Sequence, residues 1–203
     1  LLLFWLYSTL SEPLGSLDRS LRERLVGDLG RILRHTHQTA IYVALAQEEA
    51  FALADRIRVM YAAQIVQAGA PQEIYLQPAS PFVARFLELT NILDGEVRKE
   101  GAKYSLLTPL GKFPLPGSAN LGAVQLLLRP EHARLGNSGP CAIHGVVQEV
   151  SFRGNWQRLS LLVNQSELTF DFPASLLLPD PGKAVTLSLD PEQAIQVFSQ
   201  QSS

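Results

Sequence analysis

Sulfur chemistry is nearly absent from this chain, which has one cysteine and one methionine in 203 residues. Cys141 can form no internal disulfide, and no other thiols are there to build a zinc cage, so a reducing compartment is the natural setting. Charge of one sign is lacking too. Seventeen basic against nineteen acidic residues leave a net charge of -2, which offers no basic face for nucleic acid and points to small-molecule or protein partners. The longest uncharged apolar run, Leu1 to Leu10, is about half the ~20 residues a membrane-spanning helix needs, and no basic leader accompanies it. It reads as a buried strand. Tandem repeats and low-complexity segments are missing apart from a Ser/Gln-rich tail from Ser199. The first residue is leucine rather than methionine, and a central strand with nothing before it is an odd way to begin a domain. The expectation is a fragment of a longer protein.

What is present divides into two textures, and at 46% hydrophobic the chain can bury one good core or two modest ones. From Arg19 to His35, the apolar residues Leu21, Leu25, Leu29, Ile32 and Leu33 fall on one helical face, predicting an amphipathic helix on a sheet. Thr39 to Ala44 is short, β-rich and apolar on both faces, as expected of a strand inside a parallel sheet. Helical spacing returns over Gln47 to Ala54. Ile57–Met60 and Gln64–Gln67 read as two strands around a tight turn, Pro71 opens a helix towards Tyr75, and another helix starts near Pro81. Beyond Asn91, short alternating segments separated by glycine and proline take over, as in Leu168 to Phe172 and Val185 to Asp190. That is the rhythm of a small antiparallel barrel. The boundary is expected near residues 88 to 93, giving domains over 1–90 and 91–203.

Ser11-Glu12-Pro13-Leu14-Gly15-Ser16-Leu17-Asp18, followed by Gln47-Glu48-Glu49-Ala50-Phe51-Ala52-Leu53-Ala54-Asp55-Arg56, resembles the distal half of an ABC-transporter ATPase entered at its Walker B strand. Leu126-Leu127-Leu128-Arg129-Pro130-Glu131-His132 resembles the Arg-Pro-Glu element of TOBE domains, and Gly145-Val146-Val147 through Phe152-Arg153-Gly154 resembles the strand and turn that follow it. Pro78 to Phe86 and Asn91 to Val97 resemble the linker of importer ATPases for sugars, polyamines, iron or thiamine. The fold implied is the α/β C-terminal part of a P-loop NTPase followed by an all-β, OB-like TOBE barrel. The activity implied for the complete family member is ATP hydrolysis coupled to solute uptake. Its cofactors would be ATP and Mg, and its partners a transmembrane permease and a second ATPase copy. It would be cytoplasmic, peripheral on the inner face of the plasma membrane.

By that resemblance Ser11 stands where an aspartate holds magnesium through water, Glu12 stands at the general base, and Asp18 lies in the D-loop that couples the two sites of a dimer. Taken alone, Glu12 is a loop acid after a strand; the D-loop-like Leu14-Gly15-Ser16-Leu17-Asp18 gives it context. A serine hydroxyl is a weak partner for a hard divalent cation. The switch-histidine position is taken by Leu45, which has no donor to offer a phosphate. Altered polar positions on a retained scaffold imply loss of activity with retention of fold. The rival reading is a non-catalytic regulatory or binding module whose working part is the barrel.

Other constellations carry less. His35-x-His37 reads as helix-end imidazoles complementing the dipole, and Phe152 and Trp156 read as barrel core rather than a stacking pair. The only Gly-Lys pairs, Gly111-Lys112 and Gly182-Lys183, fail the phosphate-loop pattern, because Leu106 or Leu177 occupies the earlier glycine position. Without backbone amides to cradle the phosphates, the chain should bind ATP-Mg negligibly. Calorimetry at millimolar nucleotide should show no saturable heat, and a micromolar dissociation constant would contradict this.

Overall fold

The computed structural model describes residues 8–11, 18–44, 46–115, 117 and 120–199. The chain divides into two compact units, residues 1–79 and 80–203. The division falls before the helix that opens at Pro81, whereas the change of texture in the sequence comes after it. That helix buries Val83 and Ala84 and packs on a strand of the second unit, so packing assigns it forward where spacing assigned it back.

In the first unit, strand β1 (Ser8–Ser11) is followed by helix α1 (Arg19–Thr36), strand β2 (Ala40–Val43) and helix α2 (Gln47–Leu53). β1 and β2 pair in parallel, Ser8 opposite Ala40 and Ser11 opposite Val43. A parallel pair needs a crossover of a dozen residues or more, and α1 supplies it. α1 forms where its spacing predicts, but its stripe is only partly covered: Val26 is buried, Leu25, Leu29 and Leu33 are half-buried, and Ile32 is exposed. β2 also departs from expectation. Ile41 and Val43, on one face, are about half exposed, because among the described residues β2 has one partner strand and is covered only on the Tyr42 face.

β3 (Ile57–Tyr61) and β4 (Gln64–Gly69) form the expected hairpin, and α3 (Pro71–Leu76) follows with Pro71 in its first turn. Gln67 anchors the segment after α3, donating to the Gln77 carbonyl at 2.8 Å and accepting from the Ala79 amide at 2.7 Å. The two-residue turn holds Ala62 and Ala63 at φ 47° and 63°. A primed hairpin turn requires that backbone, and an L-residue with a Cβ resists it.

The second unit opens with α4 (Pro81–Phe86), capped by Ser80, whose hydroxyl accepts from the Val83 amide. One antiparallel sheet contains β5 (Ile92–Glu100), β6 (Lys103–Thr108), β7 (Gly111–Leu115) and β8 (Gly122–Leu128). A 3-10 turn (Pro130–His132) leads to the other sheet, built from β9 (Ala133–Leu135), β10 (Cys141–Phe152), β11 (Trp156–Val163), β12 (Ser166–Pro173) and β13 (Ala184–Leu189). A short helix α5 (Pro191–Ala194) precedes β14 (Ile195–Ser199), which returns to the first sheet beside β8. The strand orders are β14-β8-β5-β6-β7 and β12-β11-β10-β13-β9. The all-β class is as expected. Among the described residues, the ladders form two five-stranded sheets around one core rather than one closed barrel.

That core is filled from both inner faces, by Leu106, Leu126 and Leu128 of one sheet and Ile143, Leu159, Leu161, Leu168, Phe170 and Leu187 of the other. Each such side chain contributes about 1.5–3 kcal/mol by leaving water. Asn91 stitches the sheets together. Its carbonyl accepts from Leu128 of β8, while its side-chain amide both donates to the Thr169 carbonyl (2.6 Å) and accepts from the Thr169 amide (2.8 Å) on edge strand β12. Gly145 is required where β10 meets β11, since a Cβ there would lie 2.8 Å from Val163 Cγ2 and 2.9 Å from the Leu162 carbonyl.

Replacing Ala62-Ala63 by Asn-Gly should stabilise the first unit by about 1 kcal/mol by relieving the left-handed alanines. Urea unfolding followed at the first unit checks this; an unchanged or lowered midpoint would show that the turn carries no strain.

Candidate functional site

Parallel pairing in register makes β1 and β2 end at the same edge, with Ser11 opposite Val43. In α/β sheets, ligands bind outside the carboxyl ends of parallel strands. The chain leaving β1 runs through residues 12–17 to Asp18, and the chain leaving β2 runs through Ala44 and residue 45 to α2. The strand ends from which two of the sequence-predicted segments depart therefore lie side by side. Ser11 belongs to β1 by its backbone. Glu12 and Leu45 lie outside the described residues.

Asp18 is the N-cap of α1. Its Oδ1 accepts from the Leu21 amide and from the Ser20 hydroxyl, each at 2.9 Å, and its carbonyl accepts from the Arg22 amide at 3.0 Å. The Leu21 amide, with help from Ser20, holds the exposed carboxyl below its usual range. Capping thus fixes where the loop ends and the helix starts.

A cluster with no assigned role in the sequence reading sits behind this edge. Glu49 of α2 is 7% exposed. The Tyr42 hydroxyl donates to its Oε2 at 2.6 Å, and Arg22 Nε of α1 lies 3.5 Å from its Oε1. Burial, then the hydrogen bond and charge of Glu49, push the Tyr42 phenol up to about 12. Glu49 follows Gln47 and Glu48 directly, so the sequence gives no sign that it, rather than its polar neighbours, is the buried acid.

The histidines are placed at the end of α1, His35 in its last turn and His37 at its left-handed C-cap. Among the described residues, no group of three or more His, Cys, Asp or Glu is arranged to hold a metal. In the second unit, Arg129 of the Arg-Pro-Glu element is buried, its amide donating to the Ala194 carbonyl and its guanidinium to Gln196 Oε1 at 3.4 Å, with Glu131 3.9 Å away. Phe152 is not core. It is 69% exposed, because it is the last residue of β10 and the strand runs beyond the packed interior. Trp156 is half-buried, with the Arg158 guanidinium 5.1 Å from its ring centroid.

The TOBE domain family profile matches residues 126–197, from the end of β8 into β14. An Fe(3+) ions import ATP-binding protein FbpC of Streptomyces avermitilis is 40% identical over 89% of this chain and 51% of its own length. This chain carries a TOBE domain and, over most of its length, is similar to ATP-binding proteins of ABC importers. A spermidine/putrescine import ATP-binding protein PotA of Acidothermus cellulolyticus is 35% identical over 93% of this chain and 53% of its own length. The chain thus spans about half the length of these relatives. Among solved structures, the cytoplasmic molybdate-binding protein ModG superposes with a TM-score of 0.44 at 16% identity, over 54% of this chain and 95% of that one, a likeness too loose to argue from.

Because the cap hydrogen bonds lower the Asp18 carboxyl, they stabilise its ionised form. Their contribution is present above the ordinary aspartate value, about pH 4, and is lost as pH falls through the lowered folded value. Asp18→Ala should speed hydrogen exchange of the Leu21 amide and abolish the acid dependence of that exchange beyond the intrinsic rate. Unchanged exchange would show that the cap is not formed.

Proposed function

We propose that this chain works as part of an ATP-binding subunit of an ABC importer, coupling ATP hydrolysis in the complete assembly to solute uptake through a transmembrane permease. The observation that carries this reading is its relation, over about nine-tenths of its length, to proteins named for Fe(3+) and for spermidine/putrescine import. The difference in named solute fits a family in which the solute is chosen by other subunits. The protein would act on the cytoplasmic face of the membrane, as a pair of ATP-binding subunits. Residues 1–90 would be the C-terminal part of the nucleotide-binding domain and residues 91–203 the TOBE regulatory domain.

Within that reading, Ser11 takes the magnesium position, Glu12 the general base, Leu45 the switch position and Asp18 the coupling loop. The donor set does not fit ATP-Mg. A hydroxyl replaces a carboxylate at position 11, a hydrocarbon stands at position 45, and the sequence contains no phosphate-cradling loop. We therefore infer that the chain alone does not hydrolyse ATP.

A chimera separates the altered positions from the missing loop. The N-terminal half of a working importer ATPase, joined in register at the Walker B strand to this chain, should remain nearly inactive, since losing one preorganised electrostatic contact costs about 10²- to 10³-fold. Ser11→Asp with Leu45→His should restore turnover, and Glu12→Gln in the restored protein should abolish it again. An unrestored chimera turning over at the donor's rate would refute the assignment of positions 11 and 45.

A further inference from the structure

We infer that Glu49 is a positioning residue for the strand-end edge: through Tyr42 and Arg22 it fixes the exit of β2 and the start of α2 on helix α1. The importance of that edge rests on the function proposed above; the coupling itself rests on geometry.

α2 is only seven residues long, and its N-cap, Ala46, makes no side-chain capping hydrogen bond. A helix this short does not persist on its own propensity, so tertiary contacts must hold it. Glu49, the third residue of α2, supplies them in two directions. Its Oε2 accepts from the Tyr42 hydroxyl, and Tyr42 sits opposite Leu10 in the parallel ladder, one residue before the end of β2. Its Oε1 faces Arg22, one turn into the helix that Asp18 caps. Tyr42 of β2 is therefore tied to Glu49 of α2, and Glu49 to α1 through Arg22.

Burial makes the arrangement demanding. A carboxylate at this depth is tolerated only when it is paired and hydrogen-bonded. Removing it strips the Tyr42 hydroxyl of its acceptor as well as separating α2 from Arg22. The start of α1 and the start of α2 are consequently expected to open together.

Hydrogen exchange on the full chain tests this without nucleotide, so its result stands apart from the chimera. Glu49→Leu should raise exchange about tenfold at the amides of Arg22–Val26 in α1 and of Ala50–Leu53 in α2, leaving the second unit unchanged. Glu49→Gln, which keeps an acceptor for Tyr42, should recover most of the α2 protection. In both variants the tyrosinate absorbance assigned to Tyr42, by difference from Tyr42→Phe, should appear at lower pH than in the parent. Tyr42→Phe, which removes only one oxygen, should give the same exchange pattern at smaller amplitude and guards against a Glu49→Leu protein that does not fold. Faster exchange confined to α2, uniform loss of protection throughout the chain, or an unshifted Tyr42 titration would each overturn the inference.

Discussion

The parallel pairing of Ser8–Ser11 with Ala40–Val43 is the constraint on which the first unit depends. Parallel strands cannot be joined by a tight turn, so the chain must cross over, and α1 is that crossover. With the strands in register, their ends coincide at one edge. The Asp18 cap then sets where α1 starts, and Glu49 ties Tyr42 of β2 and the start of α2 to the same helix. None of these groups makes an active site by itself. Together they tie the starts of α1 and α2 to one edge of the parallel pair.

The second unit is held by different physics. Its sheets have no crossover helices, and their cohesion comes from two inner faces filling one apolar core. The polar exceptions are paired at junctions. Asn91 satisfies the edge of β12 where an unpaired strand would otherwise offer itself to another chain. Gln157 donates to the Pro173 and Leu176 carbonyls and so holds the segment after β12. The single cysteine, Cys141, is buried in the core, and burial raises its thiol above the ordinary value. It belongs to packing rather than to chemistry.

Much of this was legible in the sequence because it rests on short-range periodicity. The spacing of Leu21, Leu25 and Leu29 gives α1, Pro71 and Pro81 mark helix starts, and Leu168, Phe170 and Phe172 alternate inward along β12 as predicted. What was illegible depends on partners distant in sequence. Ile41 and Val43 look like buried strand residues, yet burial requires a neighbour that composition cannot supply. Phe152 looks like core but lies past the end of the core. The helix at Pro81 shares the spacing of the first unit and the packing of the second. At the edge, motif resemblance named Ser11, Glu12, Asp18 and Leu45 but was silent on Tyr42 and Arg22, because their role exists only once three elements have met. The tight turn at Ala62-Ala63 was legible, but its left-handed backbone was not, because the flanking strands impose a conformation that alanine does not announce.

The register of the two parallel strands is the most direct point of test. Inter-strand nuclear Overhauser contacts in the isotope-labelled protein should link residues 9 and 10 of β1 to residues 41 and 42 of β2 in a parallel pattern, placing position 11 beside position 43. An antiparallel pattern, or no contact between these segments, would remove the shared edge on which the proposed site depends.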